Sequence, residues 1–353
     1  MQMYLQRHFV GPTSLSTVDA LLGEFKEYIS RFPDVIKLTI CLSGSYASGL
    51  SLREDSSLDL IVSMDGGQLT SSLDGDQLAL ALSTGLNDWE KLNKLTPVGS
   101  GTSLLIVEPK GSDLTLRIRT CKPSTFPINN LYHSQLFSSY SLCDPRVPAV
   151  VALVKHWARR SGYSRENSSK SSPFSGFHWT IIAIAFLIDA NVVPNLHLLA
   201  AALPDAPREV FGPNPNSDSF VLVSDSAVGR RLSRDPKTQK LTVKQLLGQF
   251  FLWLAEIDLL ATAIDIKAEK VAFPSPRKGW LWVADPTRAG ECNTLANSTD
   301  QKLEVIFAMR LRRSAQSVLA SLAQVTDEAE FTRILSARAS VDGAVVKVDA
   351  AVP

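Results

Sequence analysis

The chain is poor in cysteine, has no long apolar segment and is almost neutral, and each absence narrows its function. Only four cysteines occur among 353 residues, and no two of them form a Cys-x-x-Cys pair. This argues against a disulfide framework or a zinc site and favours a reducing compartment, so we expect an intracellular protein of the mitochondrion or the cytoplasm. The longest apolar run, residues 179–188, is far shorter than the roughly 20 residues of a membrane-spanning helix, so no membrane partner is expected.

A strong field of one charge sign is also missing, since 36 basic residues nearly balance 35 acidic ones and the net charge is +1. The chain as a whole is therefore not drawn electrostatically to nucleic acid. Basic residues are instead concentrated in local segments, which either form a track for RNA or are ordinary solvated faces. These segments are 155–160, 230–244 and 310–313.

Apolar residues make up 45% of the chain, which is enough to build the cores of two domains of ordinary size. Their periodicity predicts mixed helices and strands up to about residue 142 and mainly helices after it. We therefore predict an α/β (α+β) fold, in which a small mixed sheet flanked by helices is followed by a helical domain, with a cleft between them. The predicted elements are a helix at 14–31, strands at 36–42 and 58–63, a helix at 77–92, and strands at 103–108 and 114–120.

The predicted domain limits follow from the same change of pattern. Residues 1–32 hold an N-terminal helix that we expect to pack on the helical domain. Residues 33–140 form the predicted sheet domain, and residues 141–325 form the predicted helical domain. The tail, residues 326–353, is rich in alanine and valine, and its pattern fits either a strand or a disordered segment.

The most informative local feature is a glycine-serine turn that follows a short apolar strand. Gly44 and Ser45 stand at this turn, where a glycine lets the backbone approach a ligand and free N–H groups attract anions. The next strand carries Asp59 among apolar neighbours, and a carboxylate there is costly unless a partner such as a metal ion compensates it. Taken alone, such a turn is more often an ordinary loop, so distant segments decide its meaning.

The turn and the strand after it resemble those of polymerase-β-like nucleotidyltransferases, and within them the non-canonical poly(A) polymerases and terminal uridylyltransferases. Members carry Gly-Ser, then Gly-Leu, then Ser-Asp-Ile-Asp-Leu, and this chain has Ser-Ser-Leu-Asp-Leu at residues 56–60. The resemblance extends over roughly residues 35–315, in segments that keep the family's order. It implies a small mixed-sheet nucleotidyltransferase domain followed by a poly(A)-polymerase-associated-like helical domain.

Two of these segments carry nucleotide-binding residues that the resemblance implies, in addition to the glycine-serine turn. Residues 154–162 resemble the family helix on which two basic residues, four positions apart on one face, hold the triphosphate; here they are Lys155 and Arg159. Ser175 and Phe177 stand where the family has Ser-Ser-Tyr, whose aromatic ring stacks on the base. Stacking can therefore survive in this chain, although a hydroxyl is lost.

Two other segments depart from the family pattern or match it only in part. Asp285-Pro286, followed by Asn293, resembles the family's Glu-Asp-Pro segment. His133-Ser134 stands where the family has an Asn-Ser pair that contacts the nucleotide. His133 is then either part of an altered nucleotide site or a helix-start residue without a ligand.

The resemblance also predicts a degenerate catalytic triad. The family binds its metals through three aspartates, of which this chain keeps Asp59 and has Ser57 and Arg117 at the other two positions. Asp113 would lie about 13 Å away along a straight strand, too far for metal ions that sit roughly 4 Å apart and share ligands, whereas a tight turn could return Asp55. An arginine in this pocket also repels Mg²⁺. We expect Arg117 either to pair with Asp59 or to face solvent across the sheet.

The sequence therefore predicts a nucleotidyltransferase-like pseudoenzyme, an RNA- or protein-binding subunit of an RNA-processing complex without transfer activity. The alternative is an active Mg²⁺-dependent RNA terminal uridylyl- or adenylyltransferase, with Asp59 as its retained metal ligand. No cofactor is expected in the first case, and Mg²⁺ is implied only in the second. The expected partners are RNA and other proteins, and binding of a nucleoside triphosphate is expected to be weak or absent.

Overall fold

The structure is a computed structural model, and the residues that it describes are 12–30, 38–52, 57–64, 75–98, 104–121, 128–164, 174–211, 218–232, 236–275, 282–287, 301–325 and 334–335. Within them, the predicted fold class is confirmed. A mixed sheet with flanking helices is followed by a mainly helical part.

The elements of the first part are α1 (Pro12–Ser30), β1 (Leu38–Ser43), α2 (Gly44–Ala47), β2 (Ser57–Met64), α3 (Gly75–Leu86), β3 (Leu92–Pro97), β4 (Leu104–Pro109) and β5 (Thr115–Cys121). The five strands form one sheet in the order β1–β2–β5–β4–β3. Strands β2 and β5 are parallel, and the other neighbours are antiparallel. This arrangement brings two strands that are distant in the chain side by side at the centre of the sheet.

Over residues 57–60 of β2 and 115–118 of β5, side chains alternate between a buried face and a second, partly exposed face. Leu58 and Leu60 of β2 and Leu116 and Ile118 of β5 are at most 1% exposed and belong to one apolar cluster. Because side chains alternate along a strand, the residues between them project from the opposite face of the sheet. That opposite face carries the site described below.

The N-terminal helix α1 packs on the sheet, which corrects the expectation that residues 1–32 pack on the helical domain. Phe25 is fully buried, and its ring lies 5.8 Å from that of Trp89 between centroids. Tyr28 donates a hydrogen bond from its hydroxyl to the backbone carbonyl of Gly85 over 2.8 Å. Periodicity predicted the apolar stripe of this helix correctly, but it does not say which apolar surface the stripe covers.

The elements of the second part are α4 (Ile128–Cys143), α5 (Val147–Arg160), α6 (Gly176–Asp189), α7 (Leu196–Ala202), β6 (Arg208–Val210), β7 (Ser219–Val221), α8 (Ser226–Leu232), α9 (Pro236–Gln239), α10 (Val243–Glu256), β8 (Thr262–Ile264), β9 (Ala272–Pro274), β10 (Trp282–Val283) and α11 (Gln301–Gln324). Strands β6 and β7 pair with each other, and β10, β8 and β9 form a small sheet. None of the described helices has the length and apolar character required to cross a membrane.

Aromatic residues dominate the core of the helical part. Trp157 of α5 and Trp179 of α6 are almost completely buried, with ring centroids 5.5 Å apart in an edge-to-face arrangement. Phe137 and Tyr140 of α4 belong to the same cluster, so the domain limit predicted at residue 140 falls inside a helix whose side chains serve the helical core. Leu335, which belongs to the predicted tail, is also buried in the core of the helical part. Of residues 326–353, the structure describes only 334 and 335.

The helix expected at 77–92 ends earlier than predicted, and the segment after it contains strand β3, which the sequence pattern does not predict. Helix α3 ends at Leu86 with turn hydrogen bonds from Asn87 to Thr84 and from Asp88 to Gly85. Strand β3 then pairs with β4 at the edge of the sheet, where most of its side chains are at least partly exposed. An edge strand of this kind has little apolar alternation, so its sequence carries no strong strand signal.

Candidate nucleotide-binding cleft

Gly44 and Asp59 are in direct contact at the end of the β1–β2 pair. Ser43, the last residue of β1, pairs with Asp59 across the ladder, and its hydroxyl donates a 3.2 Å hydrogen bond to the Asp59 carbonyl. Gly44 has a φ of +73°, and a Cβ placed there would lie 2.5 Å from the Asp59 Oδ2 atom. Only glycine fits this position, because any side chain would be strained and would displace the carboxylate.

Arg117 projects from the same face of the sheet as Asp59. The two residues are partners in the parallel β2–β5 ladder, and the Arg117 Nε atom lies 3.7 Å from the Asp59 Oδ1 atom. The side chains are 35% and 31% exposed, so solvent reaches both. The contact is an ion pair longer than the roughly 2.7–2.9 Å expected of a charge-assisted hydrogen bond. The alternative in which Arg117 turns away from Asp59 is therefore wrong.

The described residues on this face do not fit a magnesium ion. Ser57, two positions before Asp59 on β2, offers a hydroxyl and no carboxylate. Asp113 is exposed, and Asp55 lies outside the described residues. Among the residues that the structure describes, no three His, Cys, Asp or Glu side chains come together to hold a metal. Mg²⁺ prefers oxygen ligands in octahedral geometry, and a guanidinium beside the one carboxylate opposes it.

Lys155 of α5 reaches the cleft from the helical part. It is 6% exposed, and its Nζ donates a 2.7 Å hydrogen bond to the backbone carbonyl of Leu50, which follows the glycine-serine turn. A Cβ at Gly176 would lie 3.4 Å from the Lys155 Cε atom, so the start of α6 packs directly against this side chain. The Lys155 ammonium is thus held in place between the turn of the sheet part and the first residue of α6.

Phe177 lies against a buried polar cluster that the sequence did not predict, with its ring tilted by 58° to that of His133. Its ring centroid lies 4.6 Å from that of His133 on α4. The His133 Nε2 atom lies 2.6 Å from Asp285 Oδ1 and 2.9 Å from the Thr287 hydroxyl. Thr287 donates to the same carboxylate oxygen from its backbone N–H, over 2.9 Å, and from its hydroxyl, over 3.0 Å. The one sequence signal for this cluster was His133 itself, which stands where the resembling family has an asparagine.

The electrostatics of Asp285 follow from this cluster. Burial raises the pKa of its carboxyl, but the hydrogen bond and charge of His133 and the two hydrogen bonds from Thr287 act in the opposite direction and are jointly stronger. The pKa of Asp285 is therefore lowered from its ordinary value of 3.8. The carboxylate is ionised at neutral pH and fixes the orientation of the His133 ring beneath Phe177.

Ser134, the neighbour of His133 on α4, contacts the glycine-serine turn. Its hydroxyl oxygen accepts a 2.8 Å hydrogen bond from the Gly44 N–H and donates to the Asn130 carbonyl over 2.8 Å. The first amide of the predicted phosphate loop is thus already bonded to a side chain of the same protein. Adjacent residues of α4 therefore contact the turn on one side and the Phe177 cluster on the other.

These contacts bring most of the predicted site residues into one cleft. Gly44, Asp59 and Arg117 lie on the sheet side, and Lys155 and Phe177 lie on the helical side. Three other predicted residues are half-buried: Ser45 in the turn, Ser175 at the start of α6 and Arg159 one helical turn after Lys155. The Ser175 N–H donates to the His178 Nδ1 atom over 3.1 Å.

Comparison with known proteins shows similarity at the level of structure alone, since no family model and no curated protein sequence matches the chain. The mtPAP structure in complex with GTP has a TM-score of 0.70 at 15% identity, covering 96% of this chain and 69% of that one. The GLD-2/RNP-8 complex has a TM-score of 0.69 at 17% identity, covering 96% of each chain. The Cid1 poly(U) polymerase with MgGTP has a TM-score of 0.70 at 18% identity, covering 96% of this chain and 97% of that one. This chain has the nucleotidyltransferase fold of the poly(A) and poly(U) polymerases.

On this nucleotidyltransferase fold, helix α8 lies against the end of α4 without room for a side chain. A Cβ at Gly229 would lie 2.1 Å from the Leu142 carbonyl oxygen and 2.8 Å from the Cys143 Cα atom. The next two residues, Arg230 and Arg231, are exposed. The close approach at Gly229 therefore fixes where two exposed arginines stand on the surface.

A second basic segment is anchored to the same end of α4. Arg146 forms a two-contact ion pair with Asp144 and donates hydrogen bonds of 2.7 Å to the carbonyls of Thr238 and Leu241. Between these carbonyls lies Lys240, which is exposed. We call Arg230, Arg231 and Lys240 the basic corner. Of the other basic residues predicted at 230–244, Lys244 instead donates to the Val325 carbonyl over 2.6 Å, and the side chains of Arg234 and Lys237 lie outside the described residues.

Proposed function

We propose that this chain is a nucleotidyltransferase-like pseudoenzyme, a subunit of an RNA-processing complex that binds RNA or a partner protein and does not transfer nucleotides. The ion pair between Arg117 and Asp59 carries the proposal. Nucleotidyl transfer on this fold relies on metal ions, about 3.5–4 Å apart, that activate the attacking hydroxyl and stabilise the leaving group. A guanidinium beside the single described carboxylate takes the place of one such ion, but it cannot coordinate the reacting oxygens.

The second candidate is an active Mg²⁺-dependent terminal uridylyl- or adenylyltransferase. The contact between Gly44 and Asp59 and the position of Lys155 favour it, because both belong to the nucleotide-binding arrangement that the family resemblance implies. In that case Asp59 and a carboxylate outside the described residues, such as Asp55, would hold the metal. The metal would supply charge neutralisation and activation of the RNA 3′ hydroxyl, while Lys155 would bind the triphosphate.

RNA is the partner that the basic corner supports. Its three cations come from two segments that are joined to the end of α4 by packing and hydrogen bonds, so their positions are set by the fold. Lysine and arginine side chains neutralise phosphates and release counterions. A protein partner is supported by one similar structure, which is itself a complex of GLD-2 with RNP-8. We place this function inside the cell, in the mitochondrion or the cytoplasm, because the absence of a Cys-x-x-Cys pair favours a reducing compartment.

A primer-extension assay tests the proposal. The full chain is incubated with single-stranded RNA, each of the four nucleoside triphosphates, and Mg²⁺ or Mn²⁺, beside an active poly(U) polymerase as a positive control. We expect no extension by this chain, together with a mobility shift of the RNA. Extension that disappears in Asp59→Ala would establish the active alternative, and the absence of both extension and RNA binding would leave the protein-binding role.

A further inference from the structure

We infer that the cleft binds the polyphosphate group of a nucleoside triphosphate without a divalent metal, with Arg117 supplying the positive charge that the metal would supply. The inference rests on the proposed function, because it concerns the same cleft in a form that does no transfer. It assigns to Arg117 a ligand-binding role that the residues around it support.

The Arg117 guanidinium is available to a ligand. Within the described residues its ion pair to Asp59 is its one charged contact, and the guanidinium makes no hydrogen bond. The side chain is 35% exposed, so solvent reaches it. An arginine presents five N–H donors in a planar fork that matches phosphate oxygens bidentately.

The charge of the cleft has been inverted relative to a metal-dependent site. Replacing a carboxylate by Arg117 changes the local charge by two units, and replacing another by Ser57 removes one more negative charge. A triphosphate beside three carboxylates needs metal ions to offset repulsion, whereas a triphosphate beside Arg117 and Lys155 is attracted directly. Asp59 lowers this attraction but also holds the Nε side of the guanidinium in place.

Two further contacts favour side-chain charge as the source of binding. The Gly44 N–H donates to Ser134 Oγ, so this backbone amide of the turn is already occupied. Lys155 is fixed by its hydrogen bond to the Leu50 carbonyl, so its ammonium loses little freedom when a ligand arrives. The phosphates would then be held by Lys155 from the helical side and by Arg117 from the sheet side.

Isothermal titration calorimetry with UTP, ATP and inorganic tripolyphosphate, each in EDTA and in excess Mg²⁺, tests this inference. For the unaltered chain we expect binding in EDTA that Mg²⁺ weakens, because magnesium neutralises the ligand that Arg117 would attract. Arg117→Ala should lower the affinity in EDTA about tenfold, as expected when a charged hydrogen-bonding group is removed. Arg119→Ala, an exposed arginine two residues along β5, is the matched control and should leave affinity unchanged.

Charge reversal gives a second, independent readout. Ser57→Asp combined with Arg117→Asp restores both carboxylates, so nucleotide binding should then depend on Mg²⁺ or Mn²⁺, and Mn²⁺ alone should bind. Thermal unfolding and circular dichroism verify that each variant is folded. Tight binding by the unaltered chain that requires Mg²⁺, or no loss of affinity in Arg117→Ala, would overturn the inference.

Two controls are needed. One identifies the ligand, and the other distinguishes failure of this inference from failure of the proposed function. Displacement of UTP by tripolyphosphate supports a polyphosphate site, whereas a site that binds a single-stranded RNA oligonucleotide and neither UTP nor tripolyphosphate would refute it. Extension activity in the transfer assay, together with metal-free binding that depends on Arg117, would overturn the proposed function alone. Metal-dependent binding without extension would overturn the inference alone.

Discussion

His133 and Asp285, 152 positions apart in the chain, are joined by a short polar contact, with 2.6 Å between Nε2 and Oδ1. Thr287 completes the cluster by donating twice to the same carboxylate oxygen. This contact ties helix α4 to the segment after β10, directly beneath the ring of Phe177. The position of the Phe177 ring therefore depends on a buried hydrogen-bonded pair.

Asp285→Asn should destabilise the protein at neutral pH by about 1–3 kcal/mol, because it leaves buried donors of His133 and Thr287 imperfectly paired. Urea unfolding followed by tryptophan fluorescence measures this change. Asp258→Asn, at an exposed aspartate, is the matched control and should be nearly neutral. Equal unfolding free energies for the two variants would contradict the importance of the cluster.

The same carboxylate predicts a pH dependence. The folded pKa of Asp285 lies below the ordinary value of 3.8, so its stabilising contribution is complete above that value and is lost as pH falls through the folded pKa. Unfolding free energies measured from neutral pH down to about pH 3 should fall less steeply at the acidic end in Asp285→Asn than in the unaltered chain. Parallel curves would refute this contribution.

Gly44→Ala should destabilise the protein by about 1–3 kcal/mol, because it combines a left-handed backbone with a close approach to the Asp59 carboxylate. Gly49 is a matched control, since its φ is +70° but no atom lies within 4 Å of its Cβ position. Gly49→Ala therefore suffers the backbone strain alone. Chemical denaturation should show a larger loss for Gly44→Ala, and the excess should shrink in a variant that also carries Asp59→Ala.

Arg117→Ala should cost less than about 1 kcal/mol of unfolding free energy, since its ion pair with Asp59 is long and both side chains are about one-third exposed. A fully buried pair would cost about 3–5 kcal/mol instead. Thermal and urea unfolding distinguish these cases. A small loss of stability with a large loss of nucleotide affinity is the combination that a ligand-binding arginine predicts.

Changing Arg230, Arg231 and Lys240 together to glutamine should weaken RNA binding and lower the slope of log affinity against log salt concentration. The slope should fall by roughly 0.7 for each phosphate of single-stranded RNA that the variant no longer neutralises. Fluorescence anisotropy over a series of salt concentrations measures both quantities. Lys94→Gln is the control, since this exposed lysine on β3 pairs with Glu108 over 3.4 Å. An unchanged slope in the triple variant would exclude the basic corner from the RNA interface.

Gly229→Ala should reduce RNA affinity through structure rather than through charge. A Cβ there would meet the Leu142 carbonyl at 2.1 Å, so α8 must move and carry Arg230 and Arg231 with it. Gly248→Ala in α10, where no atom lies within 4 Å of the Cβ position, should be neutral or stabilising by about 1 kcal/mol. Equal RNA affinities for these two variants would show that α8 has no fixed role in binding.

The positions of several strands, and the direction in which their side chains point, could be predicted from local sequence pattern. The glycine-serine turn at Gly44 and the strand at Asp59 could be predicted because their signals lie within a few residues, but their functional meaning rested on distant segments that resemble the family. Because side chains alternate along β5, Arg117 points away from the face that carries Leu116 and Ile118. A shared face with Asp59 was therefore one of two predicted outcomes. Local spacing alone specifies a direction for each side chain, so it left the choice of neighbour open.

Tertiary structure decided the pairing of β2 with β5, the packing of α1 on the sheet, and the contact of His133 with Asp285. Each of these joins segments that periodicity treats separately, and each is selected by which apolar surfaces can be buried together. The ion pair of Arg117 with Asp59 forms only because β2 and β5 are neighbours in the sheet. The sequence determined the chemical groups on each strand, and long-range burial determined which of them meet, because burial depends on the whole chain and alternation on a few adjacent residues.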